Sequence, residues 1–346
     1  MAGAKPITII GGGLAGLTLG IGLRRLAVPV VIYEAGSYPR HRVCGEFISG
    51  RGQDTLARLG LRELLEQAGA VGAQTAAFFS TTKSTGPRAL PSPAICLSRY
   101  ALDAALLDQF RELGGEVRAG ERFGGDFGDG MVRATGRRAQ AGENGARWFG
   151  LKIHARKVAL TADLEMHFSP LGYVGLCGIN RGEVNVCGLF SKHTGEDGGS
   201  NNWRELLRGR PGSPLKRRLA GAEFDENSFC AVAGLFLHPQ PARSRAEICV
   251  GDAITMIPPV TGNGMSMAFE SAELAVGPLA EWSRDGSSWD EARQKIARDC
   301  DALFARRLAW AKWLQRIILT PALQNPLVGL AARSDWFWRM AFERTR

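Results

Sequence analysis

Residues Ile7–Gly16 read ITIIGGGLAG, the sequence of a short apolar strand that enters a glycine-rich turn. The residues that follow, Leu14–Arg25, have the composition of a buried helix, and Val28–Tyr33 is a second apolar run that ends at Glu34. This order of strand, turn, helix and strand is typical of the βαβ unit of a parallel dinucleotide-binding sheet. Glu34 then stands at the end of the second strand, where an acid accepts hydrogen bonds from a ribose.

The glycine spacing within the turn, G-x-G-x-x-G, gives each glycine a separate predicted role. Gly11 permits a tight turn, Gly13 lets backbone N–H groups approach a pyrophosphate, and Gly16 lets the helix pack closely on the strand. A helix that starts at Leu14 and Ala15 directs its free N–H groups at the phosphate charge. The pattern therefore predicts a dinucleotide site, and by itself it fits both FAD and NAD.

A second glycine-rich turn follows a short buried strand predicted at Ala246–Val250. Asp252, just after this strand, is placed to accept hydrogen bonds from a ribityl chain. A helix that begins beyond Gly264 would stabilise negative charge at the N1/O2 side of a reduced flavin. The predicted cofactor-binding residues of this turn are Gly251, Asp252, Pro259, Gly262, Asn263, Gly264 and Met265.

The composition indicates a folded chain of about two domains, at roughly 150 residues per domain. The 346 residues are 45% hydrophobic, which excludes an intrinsically disordered protein. The cysteines form no C-x-x-C pair and H-E-x-x-H is absent, so we predict no metal site and no dithiol redox chemistry. Scattered cysteines and a start without a basic-then-apolar leader are typical of a cytoplasmic protein.

The order of predicted elements indicates an α/β fold with an interrupted nucleotide-binding domain. A Rossmann-type domain is interleaved with an antiparallel β-sheet substrate domain, and C-terminal helices follow. The nucleotide-binding domain is assigned to residues 1–75, 99–147 and 241–290, the sheet domain to residues 76–98 and 148–240, and the helical region to residues 291–346. Helices are predicted at Gln53–Gln67 and Tyr100–Leu113, strands at Ala76–Ser80 and Pro93–Leu97, and a hairpin turn at Asn180–Gly182.

Taken together, the two glycine turns resemble those of FAD-dependent oxidoreductases with the p-hydroxybenzoate hydroxylase-like fold, and among these the geranylgeranyl reductase-like flavoproteins most closely. Three further motifs carry the resemblance: RVCGE at Arg42–Glu46, SRYALD at Ser98–Asp103, and ATGRR at Ala134–Arg138, with threonine where that fold usually has aspartate. The resemblance extends from Ile7 to about Leu279. It implies that FAD is the cofactor.

The resemblance also implies roles for individual residues. The first turn and Glu34 would hold the adenosine end of FAD, and the second turn would hold the ribityl chain and the flavin ring. Arg99 would reach the pyrophosphate or ribityl region, and Arg42 would neutralise phosphate. Cys44 stands where reductase-like members have a cysteine beside the flavin, so a thiol of low pKa is a candidate proton donor.

Candidate catalytic residues in the sheet domain are His167 and Tyr173, which lie on neighbouring strands and are expected to point into a substrate cavity. The five histidines show no mutual spacing that indicates a catalytic base. The stretch Tyr173–Gly178 (YVGLCG) has glycine at the tryptophan position of the prenyl reductase motif Tyr-x-Trp-x-Phe-Pro. The halogenase signature Trp-x-Trp-x-Ile-Pro is absent, and so is a second G-x-G-x-x-G for NAD(P)H, which we expect to bind transiently as electron donor.

The C-terminal segment is basic and rich in aromatic residues. It carries tryptophans at positions 310, 313, 336 and 338 and an apolar stripe at helical spacing: Ile296, Cys300, Leu303, Ala311, Leu314 and Ile318. The stripe predicts a helix docked on the body of the protein. The basic aromatic face predicts a peripheral contact with an anionic membrane, while no motif supports nucleic acid binding.

These features predict a cytoplasmic FAD-dependent oxidoreductase with a hydrophobic small-molecule substrate. A monooxygenase that uses reduced flavin and O2 on an aromatic or polyketide-like compound is the first hypothesis. A C=C double-bond reductase of an isoprenoid-like chain is the second, and a non-catalytic lipid or cofactor carrier on the same fold is the third. The second glycine turn argues against a plain NAD-dependent dehydrogenase.

Overall fold

A computed structural model of the chain describes residues 3–137, 146–193, 203–235 and 237–344. The strands in these residues are β1 (Ile7–Ile10), β2 (Val30–Glu34), β3 (Phe47–Ser49), β4 (Val71–Phe79), β5 (Arg88–Cys96), β6 (Glu116–Ala119), β7 (Met131–Arg133), β8 (Ala146–Arg156), β9 (Leu164–Ser169), β10 (Gly172–Gly178), β11 (Val184–His193), β12 (Glu223–Leu235) and β13 (Ile248–Cys249). The α-helices are α1 (Leu14–Arg25), α2 (Arg51–Arg58), α3 (Arg62–Gln67), α4 (Arg99–Glu112), α5 (Trp203–Arg208), α6 (Pro214–Arg218), α7 (Gly264–Ser283), α8 (Trp289–Ile318), α9 (Pro321–Arg333) and α10 (Asp335–Glu343).

The first sheet is the predicted parallel nucleotide-binding sheet, with strand order β13-β7-β1-β2-β6. Every neighbouring pair in it is parallel. The chain leaves β1 toward β2 on one side and returns to β7 on the other, so the carboxyl end of β1 is a topological switch point. Ligands of open α/β sheets bind at such a point, and the first glycine turn lies there.

Two glycines of the first turn are required by close backbone contacts. Gly11 has φ +113°, and a Cβ there would overlap the carbonyl group of Ala134 at the end of β7. A Cβ on Gly16 would overlap the carbonyl oxygen of Gly11. The conformational roles predicted for both glycines, a tight turn and close helix–strand packing, are therefore confirmed.

The second sheet is mixed, with strand order β12-β8-β11-β10-β9-β4-β5-β3. Its neighbouring pairs are antiparallel except β4 and β9, which run parallel. The predicted hairpin turn at Asn180–Gly182 joins β10 to β11, with Arg181 and Gly182 at φ +63° and +68°. One face of the sheet packs on α5 and α6 through an apolar cluster that includes Leu176, Phe190 and Leu215.

Some predicted elements differ from the observed ones. The single helix predicted at Gln53–Gln67 is wrong: α2 ends at Arg58 and α3 begins at Arg62, because Gly60 adopts φ +58° between them. The strands β4 and β5 are longer than predicted, since they pair with each other and β4 also pairs with β9. The strand β3, which the sequence did not predict, pairs with β5 and extends the second sheet into residues 1–75.

The C-terminal helices pack as the apolar stripe predicted. Ile296, Cys300, Ala311, Leu314 and Ile318 are buried, and Leu303 is partly buried against the core. Midway along α8 the buried Arg307 guanidinium donates to both oxygens of Glu270 on α7, at 2.8 and 2.9 Å. Among the described residues, no helix has both the length and the apolar content to cross a bilayer.

Candidate active site

One cavity of about 990 Å³ joins the carboxyl end of the parallel sheet to the inner face of the second sheet. Both glycine turns line it: Gly11, Gly13, Leu14 and Ala15 from the first, and Gly251, Asp252, Pro259, Gly262, Gly264 and Met265 from the second. The turns also touch each other, because a Cβ on Gly251 would lie 2.8 Å from the Cβ of Ala15. A single ligand can therefore contact both turns.

Gly13 provides a direct test of whether a nucleotide fits. It caps the start of α1 with φ −85°, and a Cβ placed on it would meet no protein atom within 4 Å. The space above it opens into the cavity, next to the free N–H groups of the helix N-terminus. This is the arrangement that a pyrophosphate requires, since its oxygens must approach the backbone closely.

The carboxylate of Glu34 lies in the same part of the cavity and is already multiply bonded. It accepts the N–H groups of Gly12 and Gly36 at 3.0 and 2.8 Å and forms ion pairs with Arg40 at 2.6 Å and Arg42 at 3.5 Å. A ribose would therefore share this carboxylate with two arginines. The ribose contact itself stays a prediction.

The arginines of the cavity are organised by Asp103, which is fully buried. Arg99 donates to both of its carboxylate oxygens, at 2.8 and 2.9 Å, and Arg42 approaches it at 3.2 Å. Burial acts to lower the pKa of Arg99, but Asp103 reverses the effect and holds that pKa above its ordinary value. Arg99 is therefore a permanently charged fork in the wall of the cavity, which suits it to the predicted contact with phosphate or ribityl oxygens.

Cys44 lines the cavity beside Arg99, but its thiol is not the low-pKa group expected from the sequence. Burial raises its pKa, and the nearby Arg99 guanidinium only partly opposes the shift. The sulfur accepts the backbone N–H of Glu46 at 3.5 Å. Cys44 is thus a neutral thiol at pH 7, and any proton it donates comes from S–H.

The second turn is placed as predicted, with one exception. The helix α7 begins at Gly264, so its N-terminus faces the cavity beside Gly262 and Met265. Asp252 lies in the cavity wall, and burial raises its pKa. Asn263 is fully buried and does not line the cavity, so a direct contact between its side chain and a ligand is not supported.

The wall formed by the second sheet is largely apolar. Its lining includes Met166, Leu189, Val232 and Tyr173. The hydroxyl of Tyr173 is buried without a hydrogen-bond partner among the described residues, and burial raises its pKa well above the ordinary value. A buried hydroxyl without a partner is uncommon, so this neutral O–H is a donor that a polar atom of a ligand would satisfy.

His167 is not part of the cavity, contrary to its predicted placement. Its Nε2 is bonded to the buried carboxylate of Glu165 at 2.9 Å, and its ring stacks on Phe79 with centroids 4.5 Å apart. The alternation of β9 turns Met166 toward the cavity and His167 away from it. The contacts of His167 are therefore structural, and the prediction that it is catalytic is not supported.

A polar cluster that was not predicted from the sequence is formed by His41, Glu46, Lys152 and His154. Glu46 and Lys152 are fully buried, and their side chains approach within 3.3 Å. Lys152 and His154 alternate with Leu151, Ile153 and Ala155 along β8, which places both polar side chains on one face of the strand. This alternation was the signal available in the sequence.

Comparison with known proteins identifies the cofactor domain. Residues 5–155 match the family model of an FAD binding domain. This part of the chain is therefore similar to known FAD-binding domains. This match confirms FAD as the cofactor. Arg138, part of the mid-chain motif in this region, lies outside the described residues. No curated protein sequence matches the chain.

Solved structures show that the whole chain has the p-hydroxybenzoate hydroxylase-like fold. The p-nitrophenol 4-monooxygenase PnpA from Pseudomonas putida is 15% identical, with 100% of this chain and 99% of that chain covered and a TM-score of 0.74. A geranylgeranyl bacteriochlorophyll reductase-like protein from Thermoplasma acidophilum is 16% identical, with 99% and 96% covered and a TM-score of 0.74. The flavin-dependent brominase Bmp2 is 16% identical, with 96% and 94% covered and a TM-score of 0.69.

At these identities the likeness establishes the fold and leaves the substrate open. The FAD domain and this fold are those expected of the predicted flavin-dependent oxidoreductase. The roles of single residues toward FAD remain predictions, which the geometry above makes testable.

Substitution of Gly13 by alanine tests the pyrophosphate contact. The new methyl group fits the ligand-free protein, since nothing lies within 4 Å, but it occupies space that phosphate oxygens need. We expect FAD affinity, measured by fluorescence titration, to fall about 10-fold or more, as for the loss of one charge-assisted hydrogen bond of about 1.5–3 kcal/mol. The thermal stability of the ligand-free protein should not change.

The matched control is Gly277→Ala, an open glycine position on the exposed side of α7. It should leave FAD affinity as it is. Unchanged affinity in Gly13→Ala would mean that the first turn does not cradle the pyrophosphate.

Proposed function

We propose that this flavoprotein is a monooxygenase that uses reduced flavin and O2 on a hydrophobic aromatic or polyketide-like small molecule. The observation that carries the proposal is the continuity of one cavity, from the cradle at Gly13 to a largely apolar chamber that contains the buried hydroxyl of Tyr173. FAD, when bound, supplies the electron transfer and the oxygen activation. The protein supplies binding, orientation and exclusion of water.

The two ends of the cavity have different proposed roles in binding FAD. The first turn, Glu34 and Arg99 would hold the adenosine and phosphates, while Asp252 and the backbone at Gly262–Met265 would hold the ribityl chain and ring. The N-terminus of α7 would then stabilise negative charge on the ring. The side chains of the second sheet keep water out of the chamber, which protects a reactive oxygen species from decay.

Tyr173 is the group that we propose orients the substrate. Its pKa is raised by burial, so it stays a neutral O–H donor across the physiological range. An oxygen atom on the substrate would satisfy this donor and fix the apolar body in one pose. Its role is positioning through a hydrogen bond, and no side-chain nucleophile is needed.

The second candidate function is reduction of a C=C bond in an isoprenoid-like chain. Gly175 supports this second function. A Cβ on Gly175 would meet only backbone oxygens, at 3.8 and 4.0 Å, so the cavity has room for a bulky chain beside this residue. The neutral thiol of Cys44 would be available as a proton donor. The third candidate is the non-catalytic carrier. For the two redox functions we propose NAD(P)H as a transient electron donor, because the sequence has no second dinucleotide fingerprint.

Turnover with a panel of lipophilic phenols and prenyl chains separates these functions. We expect the FAD-loaded protein with NADPH to consume O2 and to place one oxygen atom from ¹⁸O₂ in the product. Tyr173→Phe should lower kcat/KM about 10-fold or more for phenols, since one buried hydrogen bond is lost, while FAD affinity is retained.

Other outcomes reject the monooxygenase. Turnover that continues without oxygen and adds two hydrogen atoms identifies the reductase. Tight binding of panel compounds with no redox change in either condition identifies the carrier.

The C-terminal helices carry a separate proposal, a peripheral contact with an anionic bilayer surface. Their exposed large apolar side chains are Trp313, Leu323, Leu330 and Trp336, with 47, 43, 50 and 71% of the residue accessible. Exposed cations lie between them, and within the described residues none has an acidic partner: Arg306, Lys312, Arg316, Arg333 and Arg339. Aromatic and basic side chains in this mixture complement anionic headgroups.

Co-sedimentation with vesicles tests this contact. Binding to vesicles that contain phosphatidylglycerol should exceed binding to pure phosphatidylcholine and should weaken with salt. Trp336→Ser should reduce it several-fold, while Leu26→Ser, an exposed apolar position far along the chain in α1's C-cap, should not. Equal recovery with both kinds of vesicle would rule out the proposed contact.

A further inference from the structure

Four ionisable side chains form a row, joined by two hydrogen bonds and one ion pair, between the cavity and the second sheet. Lys152 Nζ lies 3.1 Å from His41 Nδ1 and 3.3 Å from Glu46 Oε1, and Glu46 Oε2 lies 2.7 Å from His154 Nε2. Glu46, Lys152 and His154 are at most 2% exposed. Burying ionisable side chains costs free energy of folding even when they are paired. A row of such side chains therefore suggests a role beyond stability.

The outer end of the row approaches solvent. His154 Nδ1 lies 3.5 Å from Glu183 Oε2, and the Glu183 side chain is 16% exposed. Glu183 also pairs at 2.7 Å with Arg156, whose side chain is 63% exposed. Protons can therefore reach Glu183 from bulk water.

The inner end of the row is His41, which lines the cavity. Its ring stacks on Tyr100, with centroids 4.8 Å apart, and meets His154 edge to face at 5.0 Å. A lysine ammonium group has donors only, so the Nδ1 that faces Lys152 must accept and the ring proton lies on Nε2. Nε2 has no partner among the described residues and is the atom left for the cavity.

The charges around His41 keep this ring neutral. Burial, Lys152 and His154 lower its pKa to about 4, and only Glu46 and Asp225 oppose the shift. At pH 7 His41 is therefore a neutral N–H donor with a fixed tautomer. It releases a proton from Nε2 only if Nδ1 receives one.

We propose that His41 delivers protons to the cavity, and that Glu183, His154, Glu46 and Lys152 carry them there from solvent. A proton on Glu183 passes to His154 Nδ1 as His154 Nε2 protonates Glu46. Lys152 first protonates His41 Nδ1 as the Nε2 proton leaves to an acceptor in the cavity. Glu46 then rotates its carboxyl group and protonates the neutral Lys152 amine. One proton moves inward and, after the rings reorient, every group regains its initial state.

The proposal rests on the proposed flavin chemistry and gives it a proton source. Hydroxylation with O2 and C=C reduction both consume protons, and both need a chamber from which water is excluded. A closed chamber then requires a route for protons that does not admit water. The row crosses the wall of the cavity at the loop that also carries Cys44.

Proton uptake during reduction tests the row directly. Electrons come from the methyl viologen radical, which carries no proton, and a pH indicator in weak buffer reports the proton taken up by the FAD-loaded protein. We expect uptake to keep pace with reduction in the wild type. In His41→Gln and Glu46→Gln it should lag at least about 10-fold, as for loss of a positioned proton donor.

Two controls exclude a structural effect. His238→Gln replaces an exposed histidine outside the row and should behave as the wild type. Imidazole should restore fast uptake in His41→Ala, which a packing defect would not allow. Wild-type uptake rates in both row variants, or no rescue by imidazole, would overturn the proposal.

A measurement without FAD separates this proposal from the proposed function. In the ¹⁵N-histidine spectrum of the FAD-free protein, His41 should be protonated on Nε2 and stay neutral from pH 8 to about pH 5. A His41 protonated on Nδ1, or one that titrates near its ordinary pKa, contradicts the row even if FAD binds. Loss of FAD binding alone would reject the flavin function and leave the tautomer result intact.

Discussion

The structure depends on close contacts made by glycines of its two turns at the carboxyl end of the parallel sheet. Gly11 lies against Ala134, Gly16 lies against Gly11, and Gly251 lies against Ala15. Side chains at these positions would force the strands and helices apart. Because they are glycines, two turns separated by most of the chain open into one cavity.

Charge in the cavity wall is arranged by buried carboxylates. Glu34 holds Arg40 and Arg42, and Asp103 holds Arg99 together with Arg42. Arginines fixed in this way keep a positive field at the phosphate end without local flexibility. Glu46 is the buried carboxylate that holds Lys152 and His154 in the row. Burial favours its neutral form, but its partners hold its pKa below the usual value.

The sequence predicted those parts of the molecule whose signals are local. The strand, turn and helix at Ile7–Arg25 and the hairpin at Asn180–Gly182 follow from glycine placement and apolar runs, and both were observed. The second glycine turn predicts a cofactor site only when it is considered together with the first glycine turn. The prediction of one helix at Gln53–Gln67 was wrong. The apolar spacing continues across Gly60, but the positive φ of Gly60 separates α2 from α3.

The site could be predicted only in part, because cavities are made by residues distant in the chain. Cys44 lines the cavity as expected. Its pKa, however, depends on burial by other elements of the fold, which no local sequence pattern reveals. His167 and Tyr173 looked equivalent in sequence, yet the register of β9 and β10 turned one away and the other inward. The row that ends at His41 joins the loop of His41 and Glu46 to strand β8, so only the fold brings its members together.

The most direct test of the central claim, that both turns hold one ligand, is a crystal structure of the complex with FAD. We expect one FAD per chain, with its adenosine against Glu34 and its isoalloxazine ring against the backbone of Gly262–Met265. An FAD bound at the first turn with its ring outside the cavity, away from α7, would contradict it.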